Sequence, residues 1–242
     1  MHRLFLSPDA LNQEQVRFPA EATHQLTRVL RLREGDEVWV LTGDGMEHRV
    51  HLTALSRNEA HGRIVESRPN HTEPALDLTL YPALLKGKNL EWVLQKGTEL
   101  GVARFVPVVT ARSVADDVPQ RRDGKLARWE RILQEAAEQS GRGRVPALEP
   151  PLTFKEALAH AARSLILLPW EEGGQALRNA LPETTRPLAL FIGPEGGFTV
   201  AEVDQARAAG ARVVTLGPRI LRAETASIAA VAAIMALRGE WS

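Results

Sequence analysis

From about residue 73 onward the chain alternates short, almost uniformly apolar runs with helical patterns, and this alternation constrains the fold more than any other feature. LDLTLYPA, RFVPVVT, SLILLP, LALFI and RVVTLG read as strands, and helical periodicity falls at Asn89–Leu100, Lys125–Gln139, Phe154–Ala162, Val200–Ala209 and Ala223–Leu237. Strands that are apolar on both faces must be covered on both sides, the situation of a mostly parallel α/β sheet. Ligands of such sheets bind beyond the carboxyl ends of the strands, which directs attention to the loops after Leu168, Ile192 and Leu216. Periodicity alone favours an unknotted, flavodoxin-like strand order.

The first 66 residues follow a different pattern. Strand candidates at Arg3–Leu6, Glu37–Leu41, His48–Leu55 and His61–Glu66 surround one helix after Pro19, and Thr42–Gly45 fits a hairpin turn, so a small mixed barrel is expected. Ser67–Ala75 carries two prolines and no apolar periodicity, which puts a boundary near residue 72 and gives domains at 1–72 and 73–242. Within the helix, Ala22, Leu26, Val29 and Leu30 share one face. His24, Arg28 and Arg31 share another at i, i+4, i+7. That basic stripe is either an ordinary solvated face or a phosphate contact, which Arg33 and Arg3 would extend.

Composition removes several classes of function. Without cysteine there are no disulfides, thiolate metal ligands or thiol nucleophiles, and the seven histidines lack metal-ligand spacing, so no metal is expected. No apolar run approaches the roughly 18 residues of a membrane span, and the amino terminus turns polar early, so a soluble, cytoplasmic protein is expected. Thirty basic and thirty acidic side chains argue against a polycation, leaving any nucleic-acid affinity to local clusters. The stretch from Arg121 to Arg144 is the best such cluster and ends in Arg142 and Arg144, while Trp129 within it lies on the apolar face of a helix. GxGxxG, GxxxxGK[ST] and GxSxG are all absent, and Ser227 reads as a packed helical residue rather than a nucleophile.

Two strand-end loops remain as candidates. FIGPEGGFTVAEV ends a strand in Gly193-Pro194-Glu195-Gly196-Gly197 and enters a helix through Thr199 and Glu202, which have capping-box spacing. LGPRILRAETAS ends a second strand and enters an alanine-rich helix, whose small residues allow close approach within the domain or across a homodimer. Leu216, Ile220, Leu221 and Ala226 offer an apolar wall, and Gly193, Gly197 and Gly217 offer backbone polar groups. The mixture suits an uncharged aromatic base with a thioether or sulfonium tail. Glu195 is either a turn carboxylate or a catalyst, Arg222 can orient an anion or close a salt bridge, and Glu99 forms an i, i+4 pair with Gln95.

Taken together, GPEGGFT, LGPRILRAETASIAA, LEWVLQKGTELGV, EAAEQSGRGRVP and HQLTRVLRLREGDEV closely resemble the bacterial 16S ribosomal RNA uridine-N3 methyltransferase family known as RsmE. The resemblance implies a PUA-like RNA-binding β-barrel domain followed by a SPOUT methyltransferase domain with a carboxyl-terminal trefoil knot, active as a homodimer. It implies S-adenosylmethionine as cofactor, held by Leu168 and Pro169, by Gly193, Glu195 and Gly197, and by Leu216, Gly217, Ile220, Leu221, Arg222, Thr225 and Ala226. The implied reaction methylates ring nitrogen 3 of a uridine in 16S ribosomal RNA, free or in the small subunit. Arg222, Glu195 and Glu99 are the catalytic candidates, and Arg3, His24, Arg28, Arg31, Arg33, Arg142 and Arg144 the RNA contacts. Methylation of ribose or another base, and a noncatalytic role in RNA binding and ribosome assembly, are the alternatives.

Overall fold

The computed structural model describes residues 1–113, 124–182 and 187–241. Arg121 and Arg122, part of the expected basic cluster, lie outside them. The chain divides into two compact units, one formed by residues 1–73 with 137–145 and the other by 74–136 with 146–242.

The first unit is built on a six-stranded sheet. Its strands are β1 (Arg3–Phe5), β2 (Leu11–Asn12), β3 (Gln15–Arg17), β4 (Glu37–Leu41), β5 (Met46–Leu55) and β6 (Ala60–Pro69), in the order β1-β4-β5-β6-β3-β2. All neighbours are antiparallel except β1 and β4. Register shifts between β5 and β6 at Arg49/Val50 and Leu52/Ala54 sharpen the local twist, and the sheet curls around Leu4, Val16, Phe18, Leu26, Val38, Val50 and Leu52. Gly62 is a point of close approach, since a Cβ there would stand 2.3 Å from Val50 Cγ1.

The helix after Pro19 departs from its expected pattern. Ordinary α-helix covers only α1 (Ala20–His24); Gln25–Val29 forms a wider π-turn, and Arg31 adopts φ +55°. The added width breaks the i, i+4, i+7 stacking, so His24, Arg28 and Arg31 are each exposed but not aligned in one helical stripe. Val29, placed by its spacing on one face with Ala22 and Leu26, is 66% exposed where those two are buried.

Residues 137–145 join this unit because acidic and amide side chains draw them in. Glu138 accepts from the Phe5 N–H and the Gln25 amide, and the Gly141 carbonyl accepts from Asn70 and Thr72. Glu73 accepts from the Arg142 guanidinium at 2.7 and 3.2 Å and from the Gly143 and Arg144 amides.

The second unit is a parallel α/β structure. Its strands are β7 (Leu78–Pro82), β8 (Arg104–Phe105), β9 (Val108–Val109), β10 (Ala147–Leu148), β11 (Leu152–Thr153), β12 (Leu165–Pro169), β13 (Gln175–Ala176), β14 (Leu188–Ile192) and β15 (Arg212–Thr215). Seven of them form one sheet in the order β10-β8-β7-β14-β12-β15-β13, every neighbouring pair parallel, and β9 pairs with β11. A flavodoxin-like order would set β12 beside β7. Here β14 takes that place and β12 lies one strand further on, so the chain returns across β12 to form β15. This exchange corrects the order that periodicity favours.

The helices are α2 (Asn89–Glu99), α3 (Lys125–Ser140), α4 (Phe154–His160), α5 (Leu177–Ala180), α6 (Val200–Ala208) and α7 (Ala223–Leu237). Trp129 on α3 is buried at 3% exposure, and Ser227 on α7 donates to the Ala223 carbonyl at 2.9 Å, both as expected of core residues. The central strands bury Leu80, Leu167, Leu190 and Phe191 completely.

Tyr81, the chain's single tyrosine, stacks on Phe191 with centroids 4.4 Å apart and hydrogen-bonds His160 Nδ1 at 2.8 Å. Burial pushes its phenol up to about 12 from an ordinary 10.0. The folded value lies above the unfolded one, so its contribution to stability is complete below the unfolded value and lost as pH rises through about 12. A spectrophotometric titration of the native protein is expected to show the phenolate band near pH 12, falling to about 10 once the chain is unfolded in urea. A native midpoint at the unfolded value would contradict this packing. Gly62→Ala is expected to cost about 1–3 kcal/mol in urea unfolding, from overpacking against Val50.

Candidate functional site

β12 lies between β14 and β15, so three parallel strands deliver their carboxyl ends to one edge of the sheet. The connection from β14 to β15 passes over β12, so the loops after all three strands gather at that edge. The loops beyond Pro169, Ile192 and Thr215 line an open cleft of about 690 Å³, its mouth included.

Most of the expected cofactor residues line this cleft: Pro169 from the first loop, Gly193, Glu195 and Gly197 from the second, and Leu216, Gly217, Ile220, Leu221 and Ala226 from the third. Three do not. Leu168 is fully buried in the core behind Pro169. Arg222 occupies the N-cap position of α7 and Thr225 its first turn, and both side chains are exposed outside the wall. Glu99 is also absent from the wall; its carboxylate is ion-paired with Lys96 Nζ at 2.8 Å on α2.

Sequence reasoning missed Trp170, Glu171, Thr215 and Arg219, all of which line the cleft. The clue for the first two is their place directly after an apolar strand. Arg207 stands over the Trp170 ring at 5.6 Å, and the buried Trp170 Nε1 has no hydrogen-bond partner among the described residues. The Glu171 carboxylate is packed against Gly197, where a Cβ would lie 2.2 Å from Oε1.

The second loop is fixed by its exit into α6. Thr199 accepts from the Glu202 N–H, and Glu202 Oε2 accepts from the Thr199 N–H at 2.8 Å, completing the expected capping box. The other oxygen of Glu202 accepts from Ala111 N–H at 2.8 Å. Gly197 takes φ +67° and donates to the Pro194 carbonyl, closing a turn, while Glu195 Oε1 accepts from the Lys86 N–H at 3.0 Å. Gly217, also on the wall, takes φ +108°, and a Cβ built on it meets no protein atom within 4 Å.

The basic candidates separate into exposed and structural groups. His24, Arg28, Arg31, Arg33 and Arg144 are exposed. Arg142 is 4% exposed and paired with Glu73, and Arg3 is half-buried beside Glu47, 3.8 Å away. Arg142 is a correction: its buried guanidinium, held by an internal carboxylate, is not presented to a phosphate. Among the described residues no group of three or more histidine, aspartate or glutamate side chains could hold a metal ion, and no helix is long and apolar enough to cross a membrane.

Residues 72–235 match the family model of an RNA methyltransferase domain, and residues 18–65 that of an RNA methyltransferase PUA domain. The chain is 34% identical over 223 residues to ribosomal RNA small subunit methyltransferase E of Bacillus subtilis, covering 88% of this chain and 87% of that protein. To the Synechocystis protein of the same name it is 37% identical, covering 98% and 78% respectively. The crystal structure of a ribosomal RNA small subunit methyltransferase E from Neisseria gonorrhoeae bound to S-adenosyl methionine superposes with a TM-score of 0.88, at 34% identity and 98% coverage of both chains.

Arg142→Ala is expected to lower unfolding free energy by about 3 kcal/mol, because it breaks a buried pair and leaves Glu73 without its cation. Arg144→Ala is expected to stay within about 0.5 kcal/mol of wild type. Urea unfolding of the full chain measures both, and equal effects would refute the assignment of Arg142 to structure.

Proposed function

Because the chain belongs to the ribosomal RNA small subunit methyltransferase E family of RNA methyltransferases, we propose that it transfers a methyl group from S-adenosylmethionine to ring nitrogen 3 of a uridine in 16S ribosomal RNA. The observation that carries this reading is the cleft at the ends of β12, β14 and β15, whose walls match the donor's chemistry. Leu216, Ile220, Leu221 and Ala226 would give an adenine an apolar wall, and the peptide groups of Gly193, Gly197 and Gly217 would offer it polar contacts. Gly217, at φ +108°, lines the cleft with a backbone conformation that L side chains rarely adopt.

When bound, the donor supplies an electrophilic methyl carbon on a sulfonium. The protein must hold the acceptor uracil in line and assist loss of its N3 proton. Glu195 is the proton acceptor in this reading: it lines the cleft, is exposed to water, and is oriented by the Lys86 N–H. Glu99, paired with Lys96 outside the wall, takes no part. Arg222 stands outside the wall too, exposed between the wall residues Leu221 and Ala223.

His24, Arg28, Arg31, Arg33 and Arg144 are the RNA contacts of the first unit in this proposal, supported by their exposure. The proposed active form is a cytoplasmic homodimer. Ile220 supports it, because an apolar side chain 88% exposed at the cleft is one that a second copy would cover.

Nucleoside analysis of small-subunit RNA incubated with protein and donor is expected to yield 3-methyluridine; methylated ribose or another methylated base would overturn the choice of acceptor. Glu195→Gln is expected to lower the saturating rate by roughly 10²–10⁴-fold with donor affinity preserved, and an unchanged rate and pH profile would remove Glu195 from the chemistry. Replacing Arg28, Arg31 and Arg33 together is expected to weaken RNA binding and flatten its salt dependence by about one log unit per lost phosphate contact.

A further inference from the structure

Arg112 lies in no helix or strand, yet it is held in place from both ends. Its backbone sits in a turn joining Thr110 and Ser113: the Thr110 N–H donates to Ser113 Oγ, the Ser113 N–H donates to the Thr110 carbonyl, and the two hydroxyls lie 2.9 Å apart. The preceding amide, Ala111 N–H, donates to Glu202, the carboxylate that also caps Thr199. The side chain then crosses the Gly193–Gly197 loop. Its guanidinium donates to the Gly196 carbonyl, and its stem lies so close that a Cβ on Gly196 would stand 3.2 Å from Arg112 Cδ.

Among the described residues no carboxylate pairs with this guanidinium, and the residue is exposed. Ordering an arginine costs rotamer freedom, and no ion pair among the described residues offsets it. A cation immobilised beside the wall of a methyl-donor cleft, with N–H donors to spare, is a prepared receptor for an anionic oxygen.

We propose that Arg112 binds an anionic oxygen of the acceptor RNA and thereby holds the target nucleotide against the Gly193–Gly197 loop. The inference rests on the methyltransferase reading of the cleft. Two oxygens carry the required charge: a phosphate oxygen of the RNA chain, or a carbonyl oxygen of uracil as its ring nitrogen ionises. In the second case the N3–H bond breaks and the proton passes to Glu195 or water. The N3 electron pair forms the new bond to the methyl carbon while the carbon–sulfur bond breaks and its electrons stay on sulfur. Arg112 stabilises the negative charge that precedes this transfer.

Arg112→Gln tests the proposal, because the amide retains an N–H for the Gly196 carbonyl but carries no charge; Arg112→Lys retains the charge without the planar fork. Calorimetry is expected to give both variants the wild-type affinity for S-adenosylmethionine. If the oxygen is a phosphate, Arg112→Gln binds RNA roughly tenfold more weakly, with a salt slope reduced by about one. If it belongs to uracil, the saturating methyl-transfer rate falls by about 10²-fold at neutral pH and recovers in alkali, where uracil ionises unaided. Either result supports the proposal. Loss of donor affinity with RNA affinity, salt slope and pH profile unchanged would reduce Arg112 to a strut for the loop and overturn it, as would no change at all. A wild-type protein that fails to methylate uridine N3 would refute the functional reading instead, and the RNA-binding comparison would still decide the role of Arg112.

Discussion

The second unit depends on the position of β12 between β14 and β15. Parallel pairing on both sides fixes Leu167 opposite Leu190 and Pro169 opposite Val214, so the three strands stop along one edge. Everything assigned to the cleft follows from that register. A slip of one residue would exchange the two faces of the strand and turn Leu168, now fully buried, toward the opposite layer. The apolar runs that make these strands so conspicuous thus also place the backbone amides and carboxylates of the loops that follow them.

Buried and half-buried acidic side chains tie down the loops that lead away from the strands. Glu202 ties the loop after β14 to Ala111, Glu73 gathers the amides of residues 143 and 144 around Arg142, and Glu47 takes Arg68 at 2.6 Å with Asn70 beside it. Some of the chain's bases are thus committed internally, and Arg142, buried against Glu73, is set apart from exposed arginines such as Arg28, Arg33 and Arg112.

What could be read from the sequence divides along the same physical line. Elements set by local periodicity were readable closely: α7 spans Ala223–Leu237 as its pattern predicts, and Thr199 with Glu202 forms the capping box that its spacing announces. Of the expected cleft residues, those on glycine-rich strand ends lie where the loops were expected to place them. Features that depend on distant partners were not readable. The exchange of β12 and β14 has no local signal, since either order buries the same apolar strands. Arg142 looks basic and accessible until Glu73, 69 residues away, is brought against it. The π-turn that breaks the stripe of His24, Arg28 and Arg31 likewise reflects the packing of Leu26 into its core rather than any residue unsuited to a helix.

The contact between Glu171 and Gly197 joins two loops at positions that are remote in sequence. The φ of +67° at residue 197 strains any side chain placed there, whatever the space around it, and the exposed Glu171 carboxylate would have to swing aside as well. Shortening residue 171 therefore removes the crowding without freeing residue 197 from glycine. Redesign of this wall for a bulkier donor is open at residue 171 and closed at residue 197.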